Sequence, residues 1–228
     1  MRLHSKQFTE PIFTRLADYR DQLTEHPLLV AARTGRLTRH TLEQFAFHQY
    51  SDSILWIPML AQMKSAARRS RRLRQAIEDN IAHEAGLAAT SHVALAVDMM
   101  RSLGVRSLEG MPIETFARSA TLWLSDAFAD QTEAEVAGFL LTAETLVPLM
   151  FAALEPSFTA LGCDTSYFRE HISVDSDEHS TWMAEAVSDI VTIYGESCVE
   201  QIVDGMVDAW QETREVPDTL WRMQCESH

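Results

Sequence analysis

Eight glycines and seven prolines are spread over 228 residues, and this scarcity of chain-breaking residues constrains the fold more than any other feature. Tight turns draw on glycine and proline, because one tolerates positive φ and the other presets the first turn position. A fold of many short strands needs such turns at frequent intervals, so a chain this poor in them favours long helices. No stretch sustains apolar/polar alternation with β-branched residues, whereas apolar spacing of three and four recurs along the chain. The expectation is an all-α protein of about seven to eight helices. With no repeat, low-complexity tract or flexible linker, residues 1–228 read as a single helical domain. The helices are too unequal for a simple four-helix bundle.

The few breakers place the elements. A first helix reads from about residue 5 to 23, and "HPLLVAARTGRLT" holds a short one that stops at Gly35. Thr38 or Thr41 can cap the next, which runs through "LEQFAFHQYSDSILWIPMLAQMKSAA" with a kink expected at Pro58. A helix from about 70 to 83 either stops near Gly86 or continues past it to Leu103, where Gly104 ends it, and shorter pieces follow around 112–128. A strongly apolar helix covers about 133–154. Another spans about 165–194 and ends at Gly195, and the last reaches about Val216.

Charge and cysteine content exclude several roles. A formal net charge of −14 argues against nucleic acid or an anionic membrane as partner, since both need a basic surface. The one basic run, "RRSRRLR" from Arg68 to Arg74, lies between helices and reads as a solvated corner. Cys163, Cys198 and Cys225 are widely spaced and form no Cys-x-x-Cys pair, which suits a reducing compartment and gives no zinc or disulfide framework. No segment approaches ~18 uninterrupted apolar residues, and a cytoplasmic location is expected.

Acids and histidines then occur where core residues should be. In "YFREHISVDSDEHSTWM", Phe168, His171, Asp175, His179, Trp182 and Ala186 follow one helical stripe. Its ends are aromatic or small, and its middle aligns three good metal ligands. The alternative orientation turns Ile172, Val174 and Met183 inward and leaves the charges solvated. In "EVAGFLLTAETLVPLMFAAL", Glu144 shares its face with Ala137, Leu140, Val147 and Phe151. An unpaired carboxylate there costs several kcal/mol or takes up a proton; a metal ion, an arginine or a buried polar network would each relieve it. In "NIAHEAGLAATSHVAL", Glu84 follows Ile77 and Ile81 at helical spacing, and His92 lies eight residues on. His83 points elsewhere and reads as structural or surface. His48 and Asp52 share a face of the second long helix with no role assigned. The adjacent Met99 and Met100 read as core.

Together these are three carboxylates and three imidazoles with no thiolate, a set that suits iron or manganese better than structural zinc. Six ligands are too many for one open catalytic ion and about right for two ions of three ligands each. The order and wording of the segments resemble the haem-oxygenase-like di-iron oxidases, which share the helical fold of haem oxygenase and thiaminase II. The likeness runs through "HPLLVAARTGRLTRHTLEQFAFHQY", "IEDNIAHEAGLAATSHVALAVDMMRSLGV", "TAETLVP" and "YFREHISVDSDEHS", and so spans most of the chain. Carried over position by position, it implies Glu84, His92, Glu144, His171, Asp175 and His179 as metal ligands. Many members place the last histidine three residues after the aspartate, whereas His179 lies four after Asp175. Glu178 sits at the other spacing and could bind or bridge instead.

The resemblance implies two Fe(II) ions, with manganese the other candidate, and O2 as co-substrate of an oxidase or oxygenase. Known members act on amines, amino acids or fatty acids, by N-oxygenation, desaturation or C–C cleavage. The expected partner is a small-molecule substrate, with no nucleic acid and no membrane; an external reductant and a homodimer are compatible with this reading. The rivals are a metal-free thiaminase-II-like hydrolase, which needs a nucleophilic cysteine against a carboxylate, and a non-enzymatic helical scaffold with a polar core. A haem oxygenase would want a proximal histidine in the first helix, where only His4 is available.

Overall fold

The computed structural model describes residues 2–87, 90–105, 130–174 and 179–226, with side chains from residue 8 onward and without that of Val174. The elements are α1 (Arg2–Thr24), α2 (Pro27–Arg33), α3 (Arg39–Ala66), α4 (Arg71–Glu84), α5 (His92–Ser102), α6 (Glu133–Ala160), α7 (Ser166–Val174), α8 (Ser180–Tyr194), a 3-10 turn (Gly195–Cys198) and α9 (Val199–Glu226). No strand occurs among the described residues. The expected pieces around 112–128 lie outside them, as does the side chain of His4.

Side-chain caps start the helices where the sequence offers them. Thr38, Ser70 and Ser91 accept from the third backbone N–H of α3, α4 and α5. Thr132 and Glu135 close a capping box on α6, satisfying two otherwise orphaned donors. The exposed arginines of the basic run sit at the α3–α4 corner, as expected. There Glu133 is buried because it has donors to accept from: the backbone N–H groups of Arg69 and Ser70, at 3.0 and 2.6 Å, and the Tyr194 hydroxyl at 2.7 Å.

α6 is the centre of the bundle. It is long and apolar enough by composition to cross a membrane, but most of its surface is buried inside the protein. Its most extensive neighbour is α9, with α8, α2 and α7 also packed on it. Gly138 and Gly205 let the two backbones meet: a Cβ on Gly138 would overlap the Ile202 carbonyl oxygen, and one on Gly205 that of Glu135. Phe45, Phe151, Phe158 and Phe168 join α3, α6 and α7 through ring centroids 4.7–6.0 Å apart. Packed aromatic rings of this kind dominate core energetics.

Two expectations are corrected. Of the two courses open to the helix carrying Glu84, the continuation to Leu103 is the one that fails. The helix ends at Glu84, Gly86 turns the chain at φ +71°, and His92 opens a separate helix. Of the segment expected as one helix over 165–194, Ser166–Val174 and Ser180–Tyr194 are helical, and 175–178 lie outside the described residues. The last helix continues through Pro217 to Glu226. Its end is anchored by buried Gln224, which accepts from Thr38 N–H and the Thr41 hydroxyl and donates to the Arg36 carbonyl. α3 is likewise continuous through Pro58.

Candidate metal centre

Four helices and the residue before α8 deliver the site. α4 buries the row Leu73, Ala76, Ile77, Asn80 and Glu84, spaced at three and four as one helix face requires. The apolar part of that row docks the helix, and its last two turns bring an amide and a carboxylate inward. α5 begins at His92, so the turn at Gly86 folds His92 back onto Glu84. α6 contributes Glu144 and α7 contributes His171, while His179 immediately precedes α8. All five of these ligand candidates are buried, and His92 and His179 are each only 1% exposed.

Within this cluster, one ligand atom each from Glu84, His92 and His171 lies within 4.8 Å of the others. Glu84 Oε2 is 2.7 Å from His92 Nδ1, and the His92 and His171 rings are 4.2 Å apart. The second group adjoins the first. Glu144 Oε2 is 3.1 Å from His179 Nδ1, and Asn80 Nδ2 donates to Glu144 Oε1 at 2.5 Å. His171 Nδ1 donates to the Tyr167 carbonyl at 2.8 Å. That bond fixes the tautomer and leaves Nε2 as the ligating nitrogen, the usual support for a metal-bound histidine.

Protonation follows from burial. Desolvation, then the neighbouring charge of Glu144, pushes the Glu84 carboxyl up to about 8. Desolvation, then His83, pushes His92 down to about 4, and burial holds His171 well below its ordinary value. Both imidazoles are therefore neutral at physiological pH, the form that binds metal. Despite its nearness to Glu84, His92 makes no hydrogen bond through either ring nitrogen. A buried polar group left so costs ~1–3 kcal/mol, a cost that coordination of a cation removes.

Glu84, His92, Glu144, His171 and His179, the sequence's candidates, are thus brought into one cluster. Asp175 and its rival Glu178 lie outside the described residues. His83, read from the sequence as structural or surface and pointing elsewhere, stands half-buried beside the cluster. Its ring stands edge-on to those of His92 and His179, at 4.9 and 5.3 Å, and its Nε2 is 3.1 Å from Glu170. His83, His92 and Glu170 form a second group able to hold a metal. Sequence reasoning also missed Asn80; its place one turn before Glu84 on the buried face was the available signal.

A cavity of about 490 Å³ opens beside the centre and is lined by Glu84, Glu144 and His171. His48 and Asp52 both line it, as the inward orientation of their shared face would require, and they pair at 2.6 Å. Burial alone would lower the His48 pKa, but the charge and hydrogen bond of Asp52 raise it on balance. None of the three free cysteines lines this cavity, and burial raises the thiols of Cys163 and Cys198.

Imidazoles and carboxylates converging inside an all-α bundle define a helical protein able to hold metal in its core. Residues 39–212 match the family described as Iron-containing redox enzyme, and the chain belongs to that family. Its fold is shared with the solved structure of a TenA homolog from Pseudomonas syringae pv. tomato str. DC3000. That match has a TM-score of 0.72 at 13% identity and covers 94% of this chain and 93% of the other. The bundle is thus of the haem-oxygenase and thiaminase-II type. No curated protein sequence matches the chain.

Proposed function

We propose that the protein is an O2-activating non-haem di-iron oxidase or oxygenase acting on a small carboxylate-bearing substrate. The observation that carries this reading is His92: a fully buried imidazole with both nitrogens unbonded, set against Glu84 and His171. Glu84, His92 and His171 would hold one ion, and Glu144 and His179, with Asp175, the other. Oxygen and imidazole donors without thiolate suit Fe(II). When bound, the ferrous ions supply electrons that reduce O2 for oxidation of the substrate.

The chain's own residues prepare the site. The Tyr167 carbonyl holds the His171 tautomer, and Asn80 orients the Glu144 carboxylate. Phe151 and Phe139 line the adjoining cavity and limit water there. Glu84 must lose its proton before it can bind a cation, so loading the site releases protons. Two Fe(II) ions carry four positive charges against the three carboxylates Glu84, Glu144 and Asp175. The excess of one positive charge in a low-dielectric core favours an anionic substrate group as the remaining ligand.

The hydrolase alternative requires a cysteine against a carboxylate in the cavity, and the cavity wall offers none among the described residues. The test is anaerobic Fe(II) titration with elemental analysis and Mössbauer spectra. Two coupled ions per chain are expected; a single mononuclear iron would overturn the assignment.

A further inference from the structure

The ligand cluster has two faces. Glu84, Glu144 and His171 reach the cavity, whereas His83, His92 and Glu170 do not line it. His92 belongs to both groups able to hold a metal, one with the buried Glu84 and His171, the other with His83 and Glu170. The second group stands nearer to solvent. The side chains of His83 and Glu170 are 20% and 32% exposed, against 1% for His92. We propose that His83 and Glu170 form an outer metal site, through which a ferrous ion reaches His92 from solvent without crossing the cavity. This rests on the reading of the inner cluster as a metal centre.

The bonding of His83 is that of a ligand with its metal side open. Its Nε2 lies 3.1 Å from Glu170 Oε1. A carboxylate only accepts, so Nε2 carries the hydrogen and Nδ1 the lone pair. That Nδ1 is buried and makes no hydrogen bond. A carboxylate on one ring nitrogen and an open lone pair on the other is the arrangement that supports a metal-bound histidine. A plain ion pair with Glu170 would instead leave Nδ1 buried with a hydrogen and no acceptor, at a cost of about 1–3 kcal/mol. The ring stands edge-on to His92 at 4.9 Å and to His179 at 5.3 Å, so His83 adjoins one histidine of each inner group.

Glu170 has no competing cation. Arg169, beside it on α7, pairs with Glu155 at 3.1 Å. Among the described residues the Glu170 side chain has no partner but His83. Sharing of His92 then orders the occupancy. Outer and inner groups compete for one imidazole, so the outer site empties as the inner one fills. The inner group keeps the ion because its carboxylate and imidazoles are buried, where attraction to a cation is least screened.

The test is anaerobic stopped-flow mixing of iron-free protein with Fe(II). Trp182, its ring 4.9 Å from His179, reports arrival by fluorescence quenching, and gel-filtered samples give iron per chain. His83→Phe keeps a ring against His92 but has no nitrogen, and Glu170→Gln removes the charge at nearly constant shape. Glu212→Gln removes a carboxyl from the cavity wall. His83→Phe and Glu170→Gln are each expected to slow uptake at least about tenfold and still reach the wild-type iron content at saturation. Glu212→Gln is expected to load at the wild-type rate. Unchanged uptake in both outer variants, or slowing confined to Glu212→Gln, overturns the outer site. An iron lost at saturation from His83→Phe, or a third ion in the wild type, overturns it too. Glu170→Gln alters a half-exposed side chain and supplies an independent arm if His83→Phe melts early. Iron content separates the two readings. Slowed uptake of one iron per chain sustains the outer site even though the dinuclear assignment fails, and two irons taken up at an unchanged rate sink the outer site alone. A wild type that takes up no iron overturns both.

Discussion

His92 shows how much a single residue is asked to give up. Its ring is buried and neither nitrogen makes a hydrogen bond, so the metal-free protein carries a cost that a ligand ion removes. His92→Leu, similar in volume and free of polar atoms, should therefore leave the metal-free protein as stable or up to ~1–3 kcal/mol more stable. The same variant should lose at least one iron per chain. Denaturant midpoints and metal analysis check both halves, and a strongly destabilised metal-free variant would show that the imidazole already has its partner. Glu84 gives a pH signature. Its carboxyl stands at about 8 against an ordinary 4.5, so between these values the folded chain holds a proton that the unfolded chain has released. Stability consequently falls as pH rises through that window. His92, lowered to about 4, and His171, lowered well below its ordinary value, act in the opposite sense. Their contribution grows as pH rises toward 6.5, because the unfolded imidazoles still bind protons there. Above 6.5 the shifts of Glu84, of His48 (raised by Asp52) and of Glu212 up to about 7 all act toward a fall. Urea titrations of metal-free protein should show stability declining from pH 6.5 to 8, and Glu84→Gln should flatten the decline. An unchanged slope in that variant would remove Glu84 as the cause.

Among the elements, the contact between α6 and α9 has the least tolerance. A methyl group at Gly138 meets the Ile202 carbonyl rather than a flexible side chain, so the helices must move apart. Gly138→Ala is expected to cost about 1–3 kcal/mol, lowering Tm by roughly 2–12 °C for a chain of this size; a calorimetric Tm within a degree of wild type would contradict it. Such close approaches have no mark in the sequence beyond the glycine itself. The α4–α5 break was harder to see for a physical reason. Alanine-rich flanks and apolar spacing on both sides of Gly86 favour one helix, and only the chain's return to His92 decides otherwise. Glu84 and His92 do meet, through a reversal of the chain and not through a shared helix face. Pro217 misled in the opposite direction. Helix propensity argues for a stop near it, but the hydrogen bonds of Gln224 to α3 and to the end of α2 hold the final turns, and those partners lie some 190 residues away in the chain.

For the whole molecule, the helical class was readable because turn-forming residues are scarce and apolar spacing is helical. The buried carboxylates were readable because Glu144 sits in an apolar row, where a solvated role is implausible. Nothing local marked His83 or Glu170, whose place beside the centre comes from the contact that His83 on α4 makes with Glu170 on α7. Because ligands on separate helices meet in one core, iron should stabilise the entire bundle and not one loop. At Fe(II) concentrations a hundredfold above Kd, the gain is about 2.7 kcal/mol, a Tm rise on the order of 5–10 °C. Anaerobic scanning calorimetry with and without Fe(II) measures it. Hydrogen exchange should slow most near Glu84 and His92, where ligand binding replaces the missing bonds. A Tm indifferent to iron would mean that the cluster does not bind it.

Two buried glutamates on α6, described above for different reasons, together make a ruler. Glu133 and Glu144 are eleven residues apart, close to three full turns, so they project within about 20° of each other and about 16 Å apart along the axis. Glu133 grips the Ser70 N–H at the start of α4, and Glu144 takes the Asn80 amide ten residues further along that helix. Two rods of matched length, tied at both marks, set where the carboxylate reaches the imidazoles. One residue inserted between the marks on α6 would swing Glu144 by about 100° while Glu133 kept its grip. Across this span the protein can therefore tolerate exchange of residues but not a change in their number.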